Sequence, residues 1–400
     1  NPDLAYAFQA EIAVVSNHPF VRLPDLHGVS EEDWEDRVAQ LHYADTSEYA
    51  TGHGISAEWE TVGSTCSLVR ATWIPNAEVE KTETAEIQNV ELSMETLGAL
   101  ADGAAAQTAL MPLVTQYRNW IEEQRADIPT TQSARTETAN ELLHFAGVGA
   151  DRIERGIAVL DADADALDAF RVANRAVDRA LRQRLGIDHP RWRAFQLAFL
   201  LLNLPGLADP QNPDRETVDL LFFPTGGGKT EAYLGLASFA MVLRRLRNSD
   251  GKGLTGAGVS VIMRYTLRLL TLDQLARAAG LVCALELERE NDVARYGEWP
   301  FEIGLWVGKA ATPNILGRKG DKRSDSARTK VRQYKNDPKN KPSPIPLENC
   351  PWCGTRFEPE SFELLPDDDQ PRELRIGCAN FECDFARDRQ LPIVAVDEPM

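Results

Sequence analysis

Two stretches hold residues whose types and spacing can do chemistry. The first is "PTGGGKT", 224–230, which follows the apolar run "VDLLFF" and opens a helical pattern. Glycines let a backbone curl until successive N–H groups face inward at phosphate oxygens. Pro224, Thr225, Gly226, Gly227 and Gly228 supply that curl. Lys229 brings positive charge to the β- and γ-phosphates, and Thr230 offers a hydroxyl to Mg2+. Glu231 completes the set at a helix start whose partial positive charge favours an anion. The strict pattern asks for Gly or Ala five positions before Gly228, and Phe223 stands there instead. The buried strand, the Lys-Thr pair and the following helix still point to nucleotide binding rather than to a glycine turn without chemistry. The second stretch is Cys350-x2-Cys353, followed after 24 residues by Cys378-x4-Cys383. Two close pairs at that interval are ligand spacing for a four-thiolate zinc ribbon, with Gly354 supplying the knuckle turn. Such a site is closed and structural; the alternatives are a chance spacing or an iron–sulfur cluster. Cys66 and Cys283 have no spaced partners and read as core thiols.

The elements around the glycine loop must position it. "VDLLFF" (218–223), "AGVSVIMRY" (257–265) and "FEIGLWVG" (301–308) read as strands separated by helices, which implies a parallel sheet flanked by helices. From about 94 to 204 the pattern is helical. In "DALDAFRVANRAVDRALRQRL", Leu167, Phe170, Ala173, Val177 and Leu181 share one face, with Arg171, Arg175 and Arg182 off it. Its lead-in "DADADALDA" places acids at a helix start, which suits the helix dipole. Residues 1–95 look β-rich, interrupted by "SEEDWEDRVAQL", a short helix with Ser30 as N-cap and Asp33 three positions on. The stretch 315–349 carries ten Lys or Arg without an apolar period and reads as a basic loop. It is either a solvated face or a place for sequence-independent phosphate contacts, with Tyr334 as its one aromatic.

Net charge is −18, which at first argues against a nucleic-acid partner. Residues 1–190 hold 32 acidic and 14 basic residues, whereas residues 191–400 hold 29 of each. The acidity therefore belongs to the front half, and the glycine-loop half is free to have a basic face. No apolar run reaches the length of a bilayer span. Six cysteines are too few for a disulfide framework, which fits a reducing cytoplasm. The chain begins at Asn1 without Met, so a piece of something longer is expected.

The run "VIMRYTLRLLTLDQLAR" (261–277) resembles the helicase element that follows the second strand of a first RecA-like domain. There, hydroxyls, helix-start N–H groups and basic residues take nucleic-acid phosphates. In this sequence those residues are Arg264, Thr266, Arg268, Thr271 and Gln274. Gln196, 33 positions before Lys229, resembles the helicase glutamine whose amide reads adenine. Together with "GEWPFEIGLWVGKAATPN" and "NCPWCGTRF", these runs resemble the helicase subunit of the DISARM anti-phage systems, the DrmA family, densely from about 190 to 400 and more thinly before. The resemblance implies a superfamily-two helicase that uses ATP and Mg2+, DNA as partner, a DrmB-type companion subunit and a bacterial cytoplasm. It divides the chain into a β-rich accessory domain (1–95), a helical accessory region (96–190) and a first RecA-like P-loop domain (191–314). The basic loop (315–349), the zinc-ribbon insert (350–390) and a return strand (391–400) follow. At the end, "LPIVAVDEP" has the look of an acid box, with Asp397 for magnesium and Glu398 for the attacking water. Met400 stands where that box has His, and the resemblance implies that the true box lies beyond. Hydrolysis also asks for an arginine from a second RecA-like domain, and no second unit of that size follows. A rival reading is a nucleotide-gated interaction module, in which the glycine loop is a switch and DNA is not moved.

Overall fold

The computed structural model describes residues 10–23, 33–72, 74, 83–128, 133–222, 226–248, 256–265, 268–306, 312–313, 315–386 and 389–396, with the backbone alone at 133 and 268–270. In chain order its elements are β1 (Ala13–Phe20), α1 (Trp34–His42), β2 (Ser56–Val62), β3 (Thr65–Thr72), α2 (Met94–Gly98), α3 (Gly103–Ala126), α4 (Ser133–Ala162), α5 (Ala164–Leu185), α6 (Ala194–Ala208), α7 (Lys229–Arg247), α8 (Arg268–Asn291), α9 (Val293–Tyr296), β4 (Ile303–Gly304), α10 (Ala327–Asn336), β5 (Phe362–Leu365), β6 (Glu373–Ile376) and β7 (Ile393–Val394). They form two compact units, one of residues 1–83 with 118–148, the other of residues 84–117 with 149–400.

In the first unit β1, β3 and β2 form an antiparallel sheet in that order. The helix read from "SEEDWEDRVAQL" is present, but it starts later than expected. Asp33 is the N-cap, its carboxylate accepting from the Glu35 N–H at 3.0 Å, and Ser30 lies outside the described residues. Asp33 serves because its short acceptor reaches an otherwise unpaired N–H of the first turn. The helix docks on α4 through Arg37, which bonds Thr138 (3.2 Å) and Glu141 (2.9 Å) while lying over the Trp34 ring.

The second unit is built around α5. Leu167, Phe170, Ala173 and Val177 are buried as their spacing predicts, and Leu181 packs at the edge of the same core. The off-face arginines each find a carboxylate: Arg171 on Asp168, Arg175 on Glu288, Arg182 on Asp178 and Glu95. Asp163 caps the start, accepting from the Ala166 N–H, and Gly186 ends the helix at φ 65°. Helices α7 and α8 pack against α5, so Leu234, Phe239, Val242 and Leu285 are buried among helices.

That packing accounts for a departure from expectation. Among the described residues, 218–222 and 257–265 form no paired strand, and of the third expected strand only Ile303–Gly304 (β4) pairs. Val218, Leu220 and Phe222 are about nine-tenths exposed (94%, 84% and 91%). A β-branched, apolar sequence sets an extended tendency, and pairing has to come from neighbours. Here the apolar faces of α5, α7 and α8 close on one another. Among the described residues the parallel sheet is represented only by β4–β7, in register Ile303 with Ile393 and Gly304 with Val394. What anchors the 217–222 segment is Asp219, gripped by both terminal nitrogens of Arg152, one at 2.7 Å.

The stretch expected to be a basic loop contains α10. Ser326 caps it, accepting from the Thr329 N–H, and Ala327, Val331 and Tyr334 form a narrow buried stripe at helical spacing. Tyr334 donates to the Phe357 carbonyl at 2.7 Å and packs edge-on to Phe362. The cysteine module therefore carries α10 as part of its own core, beside the antiparallel pair β5–β6.

Candidate nucleotide and metal sites

The glycine loop opens α7 as its sequence requires. Gly226 (φ 83°) and Gly228 (φ 87°) take left-handed backbone, and Gly228 is the N-cap. Lys229 and Thr230 are thus the first residues of the helix, where N–H groups lack partners within it and an anion is favoured. Pro224 and Thr225 lie outside the described residues.

Two side chains from the start of α6 hold the loop from behind. Arg193 donates to the Gly227 carbonyl at 2.6 Å, and the Gln196 Nε2 donates to the Gly228 carbonyl at 2.7 Å. The Gln196 Oε1 accepts from the Arg193 N–H at 2.7 Å, so the amide is fastened at both ends and buried. The sequence singles out Gln196 as an adenine reader, and the structure brings it to the backbone of the glycine loop. A Cβ on Gly228 would sit 2.7 Å from the Gln196 Nε2.

Glu231, in the first turn of α7, is enclosed by Arg184 of α5 at 3.1 Å and by Arg277 of α8. Burial pushes its carboxyl up, and the Arg277 charge with hydrogen bonds from both arginines more than offsets this, leaving it below the ordinary value. These arginines carry no sequence signal of their own; only the fold joins them to Glu231. The same residues line a small cleft with Trp352 and Pro351 of the cysteine module.

Of the residues read as DNA contacts, Arg264 is exposed just ahead of α8. Thr271 falls in the opening turns of that helix and Gln274 follows, half-buried, its Nε2 on Asp273 at 3.2 Å. Arg268 begins α8, and Thr266 lies outside the described residues, as do Asp397 and Glu398.

The four cysteines converge. The sulfurs of Cys350, Cys353, Cys378 and Cys383 lie within 4.8 Å of one another, with Cys353 and Cys378 at 3.4 Å. Tetrahedral thiolates at the usual zinc bond length stand about 3.8 Å apart, so the donor set and its spread fit Zn2+. Two knuckles shape it. Gly354 (φ 75°) donates to the Cys350 carbonyl, while the Asn380 and Phe385 N–H groups point at the Cys378 and Cys383 sulfurs. Burial raises the Cys350, Cys378 and Cys383 thiols, Cys383 to about 12. It raises Cys353 too, but hydrogen bonds from Thr355 and from the neighbouring thiols bring that group down to about 7. One thiolate is at hand near neutrality, and the other three need a cation to ionise. Trp352 ties the module to the helices. Its Nε1 donates to Asp384 at 2.8 Å, and the Arg179 guanidinium of α5 lies over its ring at 5.3 Å. Cys66 and Cys283 are buried core thiols. No helix among the described residues is long and apolar enough to cross a membrane.

Over 390 aligned residues, which take in 90% of this chain and 34% of that protein, the sequence is 31% identical to the DISARM protein DrmA of Bacillus paralicheniformis (strain ATCC 9945a / NCIMB 11709 / CD-2). The chain therefore spans about a third of the length of the relative it matches. No protein-family model matches it.

Proposed function

Because the chain belongs to the DrmA family, we propose that it forms the ATP-binding part of an ATP-driven DNA helicase or translocase of a DISARM anti-phage system. The observation that carries this reading is the glycine loop. Gly228 turns the chain into α7, Arg193 and Gln196 hold the loop carbonyls from behind, and the N-terminus of the helix, whose partial positive charge favours an anion, stands at the loop. Lys229 stands at the head of that helix to take the β- and γ-phosphate charge, and Thr230 is the side chain to hold Mg2+. Held there by Thr230, Mg2+ would supply neutralisation of the charge that develops during phosphoryl transfer. Gln196 acts in the same site through the loop backbone it supports.

DNA phosphates are taken by Arg264, Thr266, Arg268, Thr271 and Gln274, at and before the start of α8. Such contacts fix position without reading bases. The nucleotide and DNA elements are joined by the Glu231–Arg277 ion pair between α7 and α8, a direct route for one to sense the other. The zinc module supports this arrangement through Trp352 and Arg179. A DrmB-type companion subunit is the expected protein partner. ATP turnover by the full-length protein, measured with and without DNA, tests the proposal. Stimulation by DNA is expected; nucleotide binding that is indifferent to DNA favours a nucleotide-gated interaction module.

A further inference from the structure

Most arginines of the helical core are spent on carboxylates. Arg152, Arg155, Arg171, Arg175, Arg182, Arg184, Arg247, Arg277, Arg289 and Arg295 each have one within 4 Å. In a chain of net charge −18 that is the economical outcome, since acids are in excess. The segment around α10 departs from it. Lys319, Arg323 and Arg328 pair with Asp369, Asp325 and Asp369 respectively. Arg332, Lys335, Lys339 and Lys341 are exposed and have no carboxylate partner among the described residues. Asp337, the one acid between them, takes both bonds from the Asn340 amide.

The placement of these four cations is fixed by the fold. Val331 and Tyr334 bury one side of α10, which turns Arg332 and Lys335 outward, one turn and about 4.5 Å apart along the axis. The chain then folds back at Asp337, whose carbonyl accepts from the Asn340 and Lys341 N–H groups, so Lys339 and Lys341 follow on a short turn. Unpaired cations grouped on a firmly docked element of an acidic protein favour a polyanion. No exposed aromatic side chain stands among them to stack a base, so the recognition is of backbone charge.

We propose that the exposed face of α10 and the turn after it, carrying Arg332, Lys335, Lys339 and Lys341, is a second, sequence-independent binding surface for nucleic-acid phosphates, mounted on the cysteine module. It rests on the reading that this protein engages DNA, and it assigns a task to the module beyond its own stability. The test is the full-length protein with Arg332, Lys335, Lys339 and Lys341 all changed to Gln. Its affinity for a single-stranded DNA oligonucleotide of mixed sequence is measured across a salt series. Each lost contact should flatten the log-affinity against log-salt slope by about 0.7, so four flatten it by about 3. Across a fourfold rise in salt, the unaltered protein should then lose roughly 50-fold more affinity than the variant. Zinc content and ATP turnover without DNA should be unchanged, which shows that the module still folds. An unchanged slope in a folded variant overturns the surface while leaving the translocase reading intact. Absence of any DNA binding by the unaltered protein overturns both.

Discussion

Gly228→Ala probes the loop at the position where its geometry is tightest. Left-handed backbone at φ 87° costs a non-glycine residue about 1–2 kcal/mol. The added Cβ would also lie 2.7 Å from the Gln196 Nε2. That amide is the end of a flexible side chain, but it is buried and bonded at both ends, so moving it breaks hydrogen bonds inside the protein. A buried polar group left unsatisfied costs about 1–3 kcal/mol. The loop should therefore be displaced from its phosphate-ready form by about 3 kcal/mol, or about 100-fold in affinity for an ATP analogue. Gly226→Ala is the control. Its φ is 83°, yet nothing lies within 4 Å of the added Cβ, so only the backbone cost applies and the loss should be about 5- to 30-fold, smaller than at Gly228. Calorimetric titration of the analogue reads both. The double variant Gly228→Ala with Gln196→Ala adds a sharper criterion. The hydrogen bond removed by the second change is already lost in the first, so the double variant should bind no more weakly than Gly228→Ala alone. Equal losses at Gly226 and Gly228, or fully additive losses in the double variant, would refute the account of how α6 holds the loop.

Three further expectations follow from the same geometry. Cys350→Ser or Cys378→Ser should release zinc and lower the melting temperature, because a structural thiolate site contributes its binding energy to folding; metal analysis of purified protein reads this, and a metal-free or iron-loaded unaltered protein contradicts it. With Cys353 near 7 and the other three thiols raised, zinc uptake should release about four protons at pH 6 and about three at pH 8, measured by titration in buffers of different ionisation heat. Glu231 is held below its ordinary 4.5, so its contribution to stability is present above that value and is lost as pH falls through the folded one. The melting-temperature gap between the unaltered protein and Glu231→Gln should thus be steady near neutrality and shrink below about pH 4.5; a gap independent of pH down to 3 would contradict the Arg184–Glu231–Arg277 assignment.

How much of this was legible in the sequence depended on whether the signal was local. Helix α5 could be read because apolar residues recur along it at helical spacing between an aspartate N-cap and a terminal glycine, all short-range features. The cysteine pairs were legible because ligand spacing is itself local, and the fold had only to bring two knuckles together. The segments at 218–222 and 257–265 show where this stops. Their composition favours extension, but pairing is a property of neighbours, and the structure gives them none among the described residues. Helix α10 was hidden for the opposite reason: Ala327, Val331 and Tyr334 are three apolar residues in a stretch dominated by charge, too narrow a stripe to outweigh it. Lys229 and Thr230 could be named from the motif, whereas Arg193, Arg184 and Arg277 could not. They act on the loop and on Glu231 from 34, 47 and 46 positions away in sequence, and only the tertiary structure joins them.

The central claim is that the glycine loop binds and turns over ATP, and Lys229 is where it is tested most directly. ATP hydrolysis is measured for the full-length protein in the presence of DNA, with and without Lys229→Ala. The side chain leaves the head of α7 while Gly228, Arg193 and Gln196 keep the loop in place, so the variant should retain its fold and its zinc and lose turnover by about 100-fold or more. Turnover at the unaltered rate in a folded, zinc-loaded Lys229→Ala protein would contradict the account.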